Sequence, residues 1–143
     1  MSSGKYPANK LSNFAGHRFT IDGVECNSME GFLQSLKFKD ANIQETICKL
    51  VGVGAKRRGY NKKWWKLQEL YWKGITYKRD SEEYTKLIER AYDALYRDSE
   101  GFRKALAATN GNPLTHSIGK KNKNETILTK TEFIGNLNRL REA

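Results

Sequence analysis

Three polar side chains recur at helical spacing early in the chain. Glu30, Gln34 and Lys37 stand at i, i+4 and i+7 in the segment that begins at Ser28. Residues at that spacing lie one above another on a helix, so a carboxyl, an amide and an amine share one narrow stripe. A carboxylate and an amine on a rigid helix are the groups that proton transfer or sugar chemistry requires. The spacing alone is also typical of a solvated polar face without chemistry, which is the simpler interpretation.

The elements next to this stripe can be predicted from short-range patterns. Phe32, Leu33 and Leu36 point away from the polar stripe, so they would anchor a helix over 28–38 in a core. Upstream, apolar and polar residues alternate on both sides of Asp22-Gly23, a strong hairpin signal. We therefore predict a β-hairpin that leads directly into the helix.

The middle of the chain is predicted to be helical and basic. A second helix is expected from Ile43 to Val51, followed by a basic segment that Gly52, Gly54 and Gly59 interrupt. Next, the aromatic run Trp64–Tyr71 has helical spacing and is predicted to be a short helix that ends at Trp72-Lys73-Gly74.

The last third gives stronger helix signals. Asp80 and Glu83 resemble a capping box before a long apolar stripe, a short helix is expected over 99–108, and 114–119 looks extended after a turn. The polar run 120–125 is predicted to be a loop. Thr129 and Glu132 form a second capping box that opens the final helix. The prediction is a compact, mainly helical α+β protein with a small β-hairpin, forming one domain over 1–143.

Composition limits the classes of partner. The net charge of +10 predicts attraction to polyanions such as a nucleic acid, a dinucleotide or another phosphate-rich ligand. Cys26 and Cys48 are the chain's two cysteines, and they form neither a CxxC pair nor a zinc-site pattern, so reduced thiols and no metal are expected. The sequence shows no signal-peptide pattern and no membrane-spanning stretch, which predicts a cytoplasmic protein without a membrane partner.

Several motifs together resemble a known family. Leu11-Ser12-Asn13-Phe14 precedes the Asp22-Gly23 hairpin, and the helix then reads Glu30-Gly31-Phe32-Leu33-Gln34-Ser35-Leu36-Lys37-Phe38. In this order they resemble the YbiA-like, or NADAR (NAD- and ADP-ribose-associated), family, whose pattern is S-N-F, a hydrophobic D-G hairpin and E-H-Y-x-Q-A-x-K-F. Members of that family cleave N-glycosidic bonds, either of riboflavin-pathway intermediates or of ADP-ribose attached to guanine.

The resemblance implies roles for residues of the first third. It places the family's acid at Glu30, its glutamine at Gln34 and its Lys-Phe pair at Lys37 and Phe38. Glu30 would stabilise positive charge on the anomeric carbon or activate water. Lys37 would hold a phosphate, or its amine would attack the sugar carbon to form a Schiff base. Asn13 would bind ribose hydroxyls, and Phe14 either stacks on a base or belongs to the core.

The C-terminal half adds further candidates. Where the family has W-G-x-G, this chain reads His116-Ser117-Ile118-Gly119, which keeps the final glycine. His116 could protonate the leaving group or serve only as a hydrogen-bond partner, and Ser117 and Gly119 would line the same wall. Glu132 could reach a ligand, although its capping box explains it sufficiently.

Basic and aromatic residues could bind other parts of a nucleotide. Arg57 and Arg58 lie where members of the family have an Ala-x-x-x-Gly-Arg stretch, and they suit a pyrophosphate, a nucleic-acid backbone or merely a solvated loop. Trp72, two positions before Gly74, could stack on a ring or be simply a core residue.

The sequence therefore predicts an N-glycosidase without a cofactor that acts on an ADP-ribose-like or ribosyl-phosphate N-glycoside. The substrate could be free or part of ADP-ribosylated nucleic acid. Two alternatives belong to other classes. One is a non-catalytic protein that sequesters an ADP-ribose-derived signal, and the other is a small basic nucleic-acid-binding protein.

Overall fold

The computed structural model describes residues 5–60, 62–115 and 119–142, and within these ranges the chain is mainly helical with two small sheets. Each sheet is a two-stranded antiparallel hairpin. The α-helices of this part of the chain are α1 Ala8–Leu11, α2 Met29–Ser35, α3 Ala41–Cys48, α4 Gly52–Gly59, α5 Glu82–Asp98, α6 Glu100–Ala107 and α7 Lys130–Glu142. The strands are β1 Phe19–Ile21, β2 Val24–Cys26, β3 Glu69–Trp72 and β4 Ile75–Lys78. The predicted class, mainly helical α+β, is confirmed, with a second hairpin in addition to the predicted one.

The first hairpin forms where the alternating pattern predicts it. Phe19 pairs with Cys26 and Ile21 with Val24, and in both strands the end residues are buried while the middle residue is exposed. Asp22 and Gly23 make the turn, both with positive φ. The hairpin brings the chain to Ser28, which begins α2.

Helix α2 begins with a well-formed cap. The Ser28 hydroxyl oxygen accepts a hydrogen bond from the Gly31 backbone N–H at 3.0 Å, and the hydroxyl donates to the Leu50 carbonyl at 2.8 Å. A β-carbon at Gly31 would lie 2.7 Å from that Leu50 oxygen. Glycine therefore lets the start of α2 lie directly against the end of α3. The helix ends at Ser35, so Lys37 and Phe38, which were predicted to be helical, lie outside it: Lys37 is in the turn that follows and Phe38 comes directly after that turn.

Two predictions for the middle of the chain are wrong. The glycine-rich basic segment forms helix α4, because its small buried residues, Ala55 and Gly59, allow it to pack closely on α2. The aromatic run is a 3-10 turn over Trp64–Lys66 followed by strand β3, in which Leu70 and Trp72 are buried and their neighbours are half-exposed. The sequence analysis predicted strand β3 as part of a helix, because short apolar runs do not distinguish a strand from a helix.

The second hairpin turns at Lys73-Gly74, where both residues have positive φ, as a type I′ hairpin turn requires. It is joined to the first hairpin by polar contacts. The Trp72 indole N–H donates to Asp22 Oδ2 at 2.8 Å, and Arg90 of α5 pairs with the same carboxylate at 2.8 Å. Asp22 therefore connects both turns to α5.

The later helices begin at serine or threonine caps. The Ser81 hydroxyl, rather than Asp80, caps α5 by accepting from the Tyr84 N–H, and Ser99 caps α6. At α7 the predicted capping box is confirmed: Glu132 accepts from the Thr129 N–H at 2.8 Å and Thr129 Oγ1 accepts from the Glu132 N–H at 3.1 Å.

One hydrophobic cluster includes side chains from most of these elements. It extends from Leu11 and the first hairpin through α2 and the inner face of α5 to Leu137 and Leu140 of α7. Both cysteines are free and buried in it. No helix in the described ranges is long and apolar enough to cross a membrane.

Candidate active site

A cavity of about 480 Å³ lies between the N-terminal and C-terminal thirds of the chain. One side is formed by 13–14, α2 and Lys56 of α4, and the other by 119–130 and the start of α7. Apolar side chains and a few polar groups share the lining, as is usual for small-molecule sites. The lining side chains used below are Asn13, Phe14, Glu30, Gln34, Lys37, Lys56, Thr126 and Thr129.

Glu30 is the buried carboxyl group of this cavity. It is 9% exposed, and its Oε2 accepts a 2.6 Å hydrogen bond from the Gln34 amide. Burial raises the pKa of Glu30, while the Gln34 hydrogen bond and the charges of Lys37 and Lys56 offset only part of this effect. A carboxyl with a raised pKa in a ligand-sized cavity is typical of catalytic acids and bases.

Two lysines supply positive charge near this carboxyl. The Lys37 ammonium donates to the Gly59 carbonyl at 3.3 Å, which ties the turn after α2 to the end of α4. Burial lowers the pKa of Lys37, Glu30 opposes the change and Lys56 adds to it. Lys56 is placed over the Phe14 ring, with its Nζ 5.9 Å from the ring centroid. Lys120 and Lys130 also line the cavity, against Glu30 and the exposed Glu125, so lysines outnumber carboxylates in the lining, which suits an anionic ligand.

Gly59 allows α4 to approach the polar stripe. A β-carbon there would collide with Gln34 Oε1 and would lie 3.2 Å from Cδ of Lys37. Gln34 is itself buried, and its Oε1 has no hydrogen-bond partner within the described ranges. The close contact fixes the direction of the Gln34 amide, whose nitrogen then holds Glu30.

Asn13 is held in position by a residue of α5. The Tyr92 hydroxyl donates to Asn13 Oδ1 at 2.6 Å, and the Asn13 carbonyl accepts from the Glu30 N–H at 3.0 Å. Burial raises the pKa of Tyr92, which keeps this hydroxyl protonated as a donor. Asn13 itself lines the cavity, with its side-chain oxygen held by Tyr92. Phe14 also lines the cavity and is 36% exposed, so it is not a core residue.

The opposite wall is fixed by a buried ion pair that the sequence analysis did not identify. Arg79 has a side chain with no exposed surface, and it forms a two-pronged pair with Glu132 at 2.6 and 3.1 Å. Its Nε also donates to the Thr126 carbonyl at 2.8 Å, and the Tyr84 hydroxyl donates to the Ile127 carbonyl at 2.7 Å. These bonds hold 126–129, which lines the cavity. Glu132 therefore acts as a cap and as the partner of Arg79.

The structure brings together some of the residues predicted from the sequence and separates others. Asn13, Phe14, Glu30, Gln34, Lys37 and Gly119 line the cavity. The cavity lining does not include Phe38, Arg57, Arg58 or Trp72. The Arg58 guanidinium lies over the Phe38 ring, 4.8 Å from the ring centroid. Trp72 is a core residue whose ring centroid is 4.9 Å from that of Phe32. His116 and Ser117 lie outside the described residues.

The described residues contain no group of three or more His, Cys, Asp or Glu side chains placed to hold a metal ion. The polar side chains that line the cavity are instead two carboxyls, two amides, four lysines and two threonines. This set can bind an anionic, hydroxyl-rich ligand directly.

Comparison with known proteins first defines the class of fold. The chain is similar to the NMR structure of the Escherichia coli protein YbiA, with a TM-score of 0.64 and 20% identity over 98% of this chain and 80% of YbiA. The fold is therefore YbiA-like, as the resemblance to the YbiA-like, or NADAR, family implied.

The chain belongs to the family described as Bacteriophage protein GP30.3, whose model matches residues 5–142. A relative from Enterobacteria phage T4, an uncharacterized 17.1 kDa protein of the Gp30-rIII intergenic region, is 38% identical over 146 residues. That alignment covers 99% of this chain and 95% of the relative.

Proposed function

We propose that this protein is an N-glycosyl hydrolase acting on an ADP-ribose-like or ribosyl-phosphate N-glycoside. The observation that carries the proposal is the Glu30 carboxyl, buried in a cavity of about 480 Å³ beside two lysines. The YbiA-like fold supports it, because the proposed chemistry is that of the family which the sequence resembles.

The reaction breaks the bond between the anomeric carbon and the nitrogen of the base and adds water to that carbon. Positive charge develops on the sugar as the base leaves, and an ionised Glu30 stabilises this charge or takes a proton from the attacking water. The raised pKa of Glu30 makes it a stronger base than an exposed glutamate.

The remaining cavity groups would position the substrate. Lys37 and Lys56 would hold phosphate oxygens, and the Asn13 amide would donate to ribose hydroxyls. Phe14 would offer its exposed face to a base. Protonation of the leaving base is assigned to His116 as a prediction from sequence, since this residue lies outside the described ranges.

The test is release of free ADP-ribose or ribose phosphate from ADP-ribosylated guanosine and from a ribosylated pyrimidine intermediate of the riboflavin pathway. Glu30→Gln should lower turnover by about a hundredfold or more, as expected for loss of an acid or base. Glu25→Gln is the matched control, because Glu25 is exposed on β2 and does not line the cavity.

Two results would contradict the proposal. Equal turnover in Glu30→Gln and wild-type protein would remove Glu30 from the reaction. Recovery of intact ligand after denaturation of the wild-type complex would indicate a sequestering protein instead. If borohydride traps a covalent adduct on Lys37, then Lys37 forms a Schiff base with the sugar and does not serve as a phosphate contact.

A further inference from the structure

His17 is a buried titratable residue that the proposed reaction does not use. It is 9% exposed and lies between α1 and β1, outside the cavity lining. Its ring meets Phe102 of α6 edge-on, with the ring centroids 5.8 Å apart. A β-carbon added at Gly101 would lie 3.6 Å from Cε1 of the ring, so the first turn of α6 packs against the imidazole. His17 therefore connects the N-terminal segment to α6.

Both ring nitrogens of His17 have hydrogen-bond partners. Nε2 lies 2.6 Å from the Lys10 carbonyl oxygen, and Nδ1 lies 2.9 Å from Ser99 Oγ. Because a carbonyl only accepts, Nε2 carries the proton and Nδ1 is the acceptor. The Ser99 hydroxyl therefore donates to Nδ1, while its oxygen accepts from the Phe102 N–H at 3.1 Å and so caps α6. This arrangement requires a neutral imidazole.

These hydrogen bonds close a loop that supplies two residues of the cavity wall. His17 reaches back seven positions to Lys10, and Asn13 and Phe14 lie between the two in sequence. We call residues 10–17 the Asn13 loop. Its Asn13 carbonyl accepts from the Glu30 N–H at 3.0 Å, which joins the loop to the start of α2. The His17 ring thus fixes the two ends of the loop, on which the placement of Asn13 and Phe14 depends.

The surroundings of His17 favour its neutral form. Burial lowers the pKa of His17, the hydrogen bond with the Lys10 carbonyl opposes part of this change, and the charge of Lys10 adds to it. A proton on Nδ1 would also remove the acceptor of the Ser99 hydroxyl and place a positive charge at the N-terminus of α6, where the helix dipole is already positive. Protonation would therefore weaken the connection to α6.

The other ionisable groups near His17 would compensate little for its charge. The concave surface around the ring is lined, from the N-terminal segment, α5 and α6, by six such side chains: Tyr6, Lys10, Arg18, Asp98, Glu100 and Lys104. The two carboxylates among them already have cationic partners, since Asp98 binds Arg97 at 2.9 Å and Glu100 binds Lys104 at 3.1 Å. An imidazolium would have to compete for them.

We propose that His17 is a positioning residue that, as a neutral imidazole, holds the Asn13 loop so that Asn13 and Phe14 stay in the cavity wall. Its effect on a ligand rests on the proposed function, because the ligand is proposed there. Its effect on the loop does not, because the bond from the Glu30 N–H to Asn13 reports the loop in the free protein. The two effects can therefore fail separately.

The neutral form predicts a pH dependence of the loop. Because folding lowers the pKa of His17, the state in which the ring is released binds a proton more readily than the closed state. The support given to the loop is therefore complete above the ordinary histidine pKa of 6.5, and it is lost as the pH falls from that value toward the lower folded value.

Amide hydrogen exchange, followed by NMR, measures the loop through the Glu30 N–H, whose acceptor is the Asn13 carbonyl. The Arg79 N–H is the internal reference, because it donates to the Gln68 carbonyl at 2.9 Å beside the second hairpin. A change confined to the Glu30 amide reports the loop, whereas a change at both amides reports the whole fold.

Two substitutions at His17 and a matched pair of serine variants test the contacts. His17→Phe keeps an aromatic ring and removes both hydrogen bonds, whereas His17→Gln keeps a side-chain donor and has no titratable group. Ser99→Ala removes the partner of Nδ1 together with the α6 cap. Its control, Ser81→Ala, removes the equivalent cap of α5, where the hydroxyl donates to the Lys78 carbonyl instead of a histidine. If His17→Phe does not fold, His17→Gln and Ser99→Ala give the same comparison.

Relative to the Arg79 amide, the Glu30 amide should exchange about tenfold faster in His17→Phe than in wild-type protein, as expected for the loss of two hydrogen bonds. Ser99→Ala should give a smaller increase, of roughly threefold, and Ser81→Ala none. Lowering the pH from about 7 to about 5 should reduce the protection of the Glu30 amide in wild-type protein, after correction for the intrinsic exchange rate, but not in His17→Gln.

Equal acceleration of the Glu30 and Arg79 amides would show a general loss of stability and overturn the proposal. Unchanged exchange at Glu30 in His17→Phe would do the same, as would equal effects of Ser81→Ala and Ser99→Ala. A pH dependence at the Glu30 amide that His17→Gln retains would assign the titration to another group and overturn the requirement for a neutral imidazole.

For a ligand, calorimetry measures the affinity for ADP-ribose. His17→Phe should lower this affinity roughly fivefold, and it should cause no further loss in Asn13→Ala/Phe14→Ala protein, because His17 acts through these two residues. A loss that persists in that background would overturn the positioning role. Faster exchange at Glu30 in a protein that does not bind ADP-ribose would support the role of His17 in the loop and contradict only the proposed function.

Discussion

The ion pair between Arg79 and Glu132 should contribute strongly to stability, and Arg79→Met tests this. The Arg79 side chain is fully buried and donates to both Glu132 oxygens and to the Thr126 carbonyl. Removing the guanidinium leaves a largely buried carboxylate without its cation and a carbonyl without its donor. Breaking a buried pair in this way costs about 3–5 kcal/mol of unfolding free energy, a large part of the total for a domain.

Denaturant unfolding, followed by circular dichroism, measures the loss, and a double-mutant cycle assigns it to the pair. Glu132→Met should also be destabilising, since it strands the Arg79 charge and removes half of the capping box. The double variant should lose roughly 2 kcal/mol less than the sum of the single losses, because an apolar pair has no uncompensated charge. Lys78→Met breaks an exposed pair of 2.7 Å and should leave the midpoint nearly unchanged.

The pair also predicts a dependence on pH. Burial acts to raise the pKa of Glu132, but hydrogen bonds from Arg79 and Thr129 and the charge of Arg79 hold it below its ordinary value. Its contribution is therefore present above the pKa of an unfolded glutamate and is lost as the pH falls through the lower folded value. Additive single losses in the cycle, or a cost below about 1 kcal/mol for Arg79→Met, would refute the reasoning, since a buried pair must be coupled.

Three further predictions concern α2 and α4. Glu30→Gln should raise the thermal midpoint at neutral pH, because the raised pKa of Glu30 means that its ionisation opposes folding as the pH increases. The gain of the variant over wild-type protein should therefore be larger at pH 7 than at pH 4. A smaller gain at pH 7 than at pH 4 would contradict this. Gly59→Ala should displace the Gln34 amide and reduce turnover. Its control is Gly54→Ala, which has nothing within 4 Å of the added carbon and should stabilise α4 by about 0.5–1 kcal/mol. Equal thermal midpoints for the two variants would be evidence against the close contact at Gly59. Lys56→Gln should lower the affinity for a phosphate-bearing ligand about tenfold in calorimetry, as expected for the loss of one charged hydrogen bond. Arg57→Gln, which changes a residue outside the cavity lining, should change this affinity little. A larger loss in Arg57→Gln than in Lys56→Gln would identify Arg57 as the phosphate contact.

Local signals in the sequence predicted the elements that position Glu30. The Asp22-Gly23 hairpin, the start of α2 at Ser28 and the Thr129 capping box each depend on residues within a few positions of one another. These predictions agree with the structure because the hydrogen bonds of a turn or a helix cap are made by residues of the same short segment. Glu30 and Gln34 of α2 could therefore be assigned to one face from spacing alone, whereas Lys37 lies in the turn that follows.

Other parts of the site depend on contacts that no local pattern reveals. Helix α4 contains glycines that lower helix propensity, and it forms where Ala55 and Gly59 fit against α2. With that segment interpreted as a broken basic run, Lys56 could not be distinguished from Arg57 and Arg58. Arg79 looks like a surface residue in sequence, because its partner Glu132 lies 53 positions later.

The cavity forms only when widely separated parts of a newly made chain have folded together. The N-terminal part of its lining ends at Trp64, but the second wall needs residues 119–133, and Asn13 is fixed only when Tyr92 is available, 79 positions later. During synthesis the chain must therefore close these long loops before any ligand can be enclosed. Nascent chains and fragments that stop before residue 119 would carry Glu30, Lys37 and the basic residues of α4 without a second wall, and those that stop before α7 would lack Glu132, the partner of Arg79. We therefore expect full enclosure of a ligand only in molecules translated through α7.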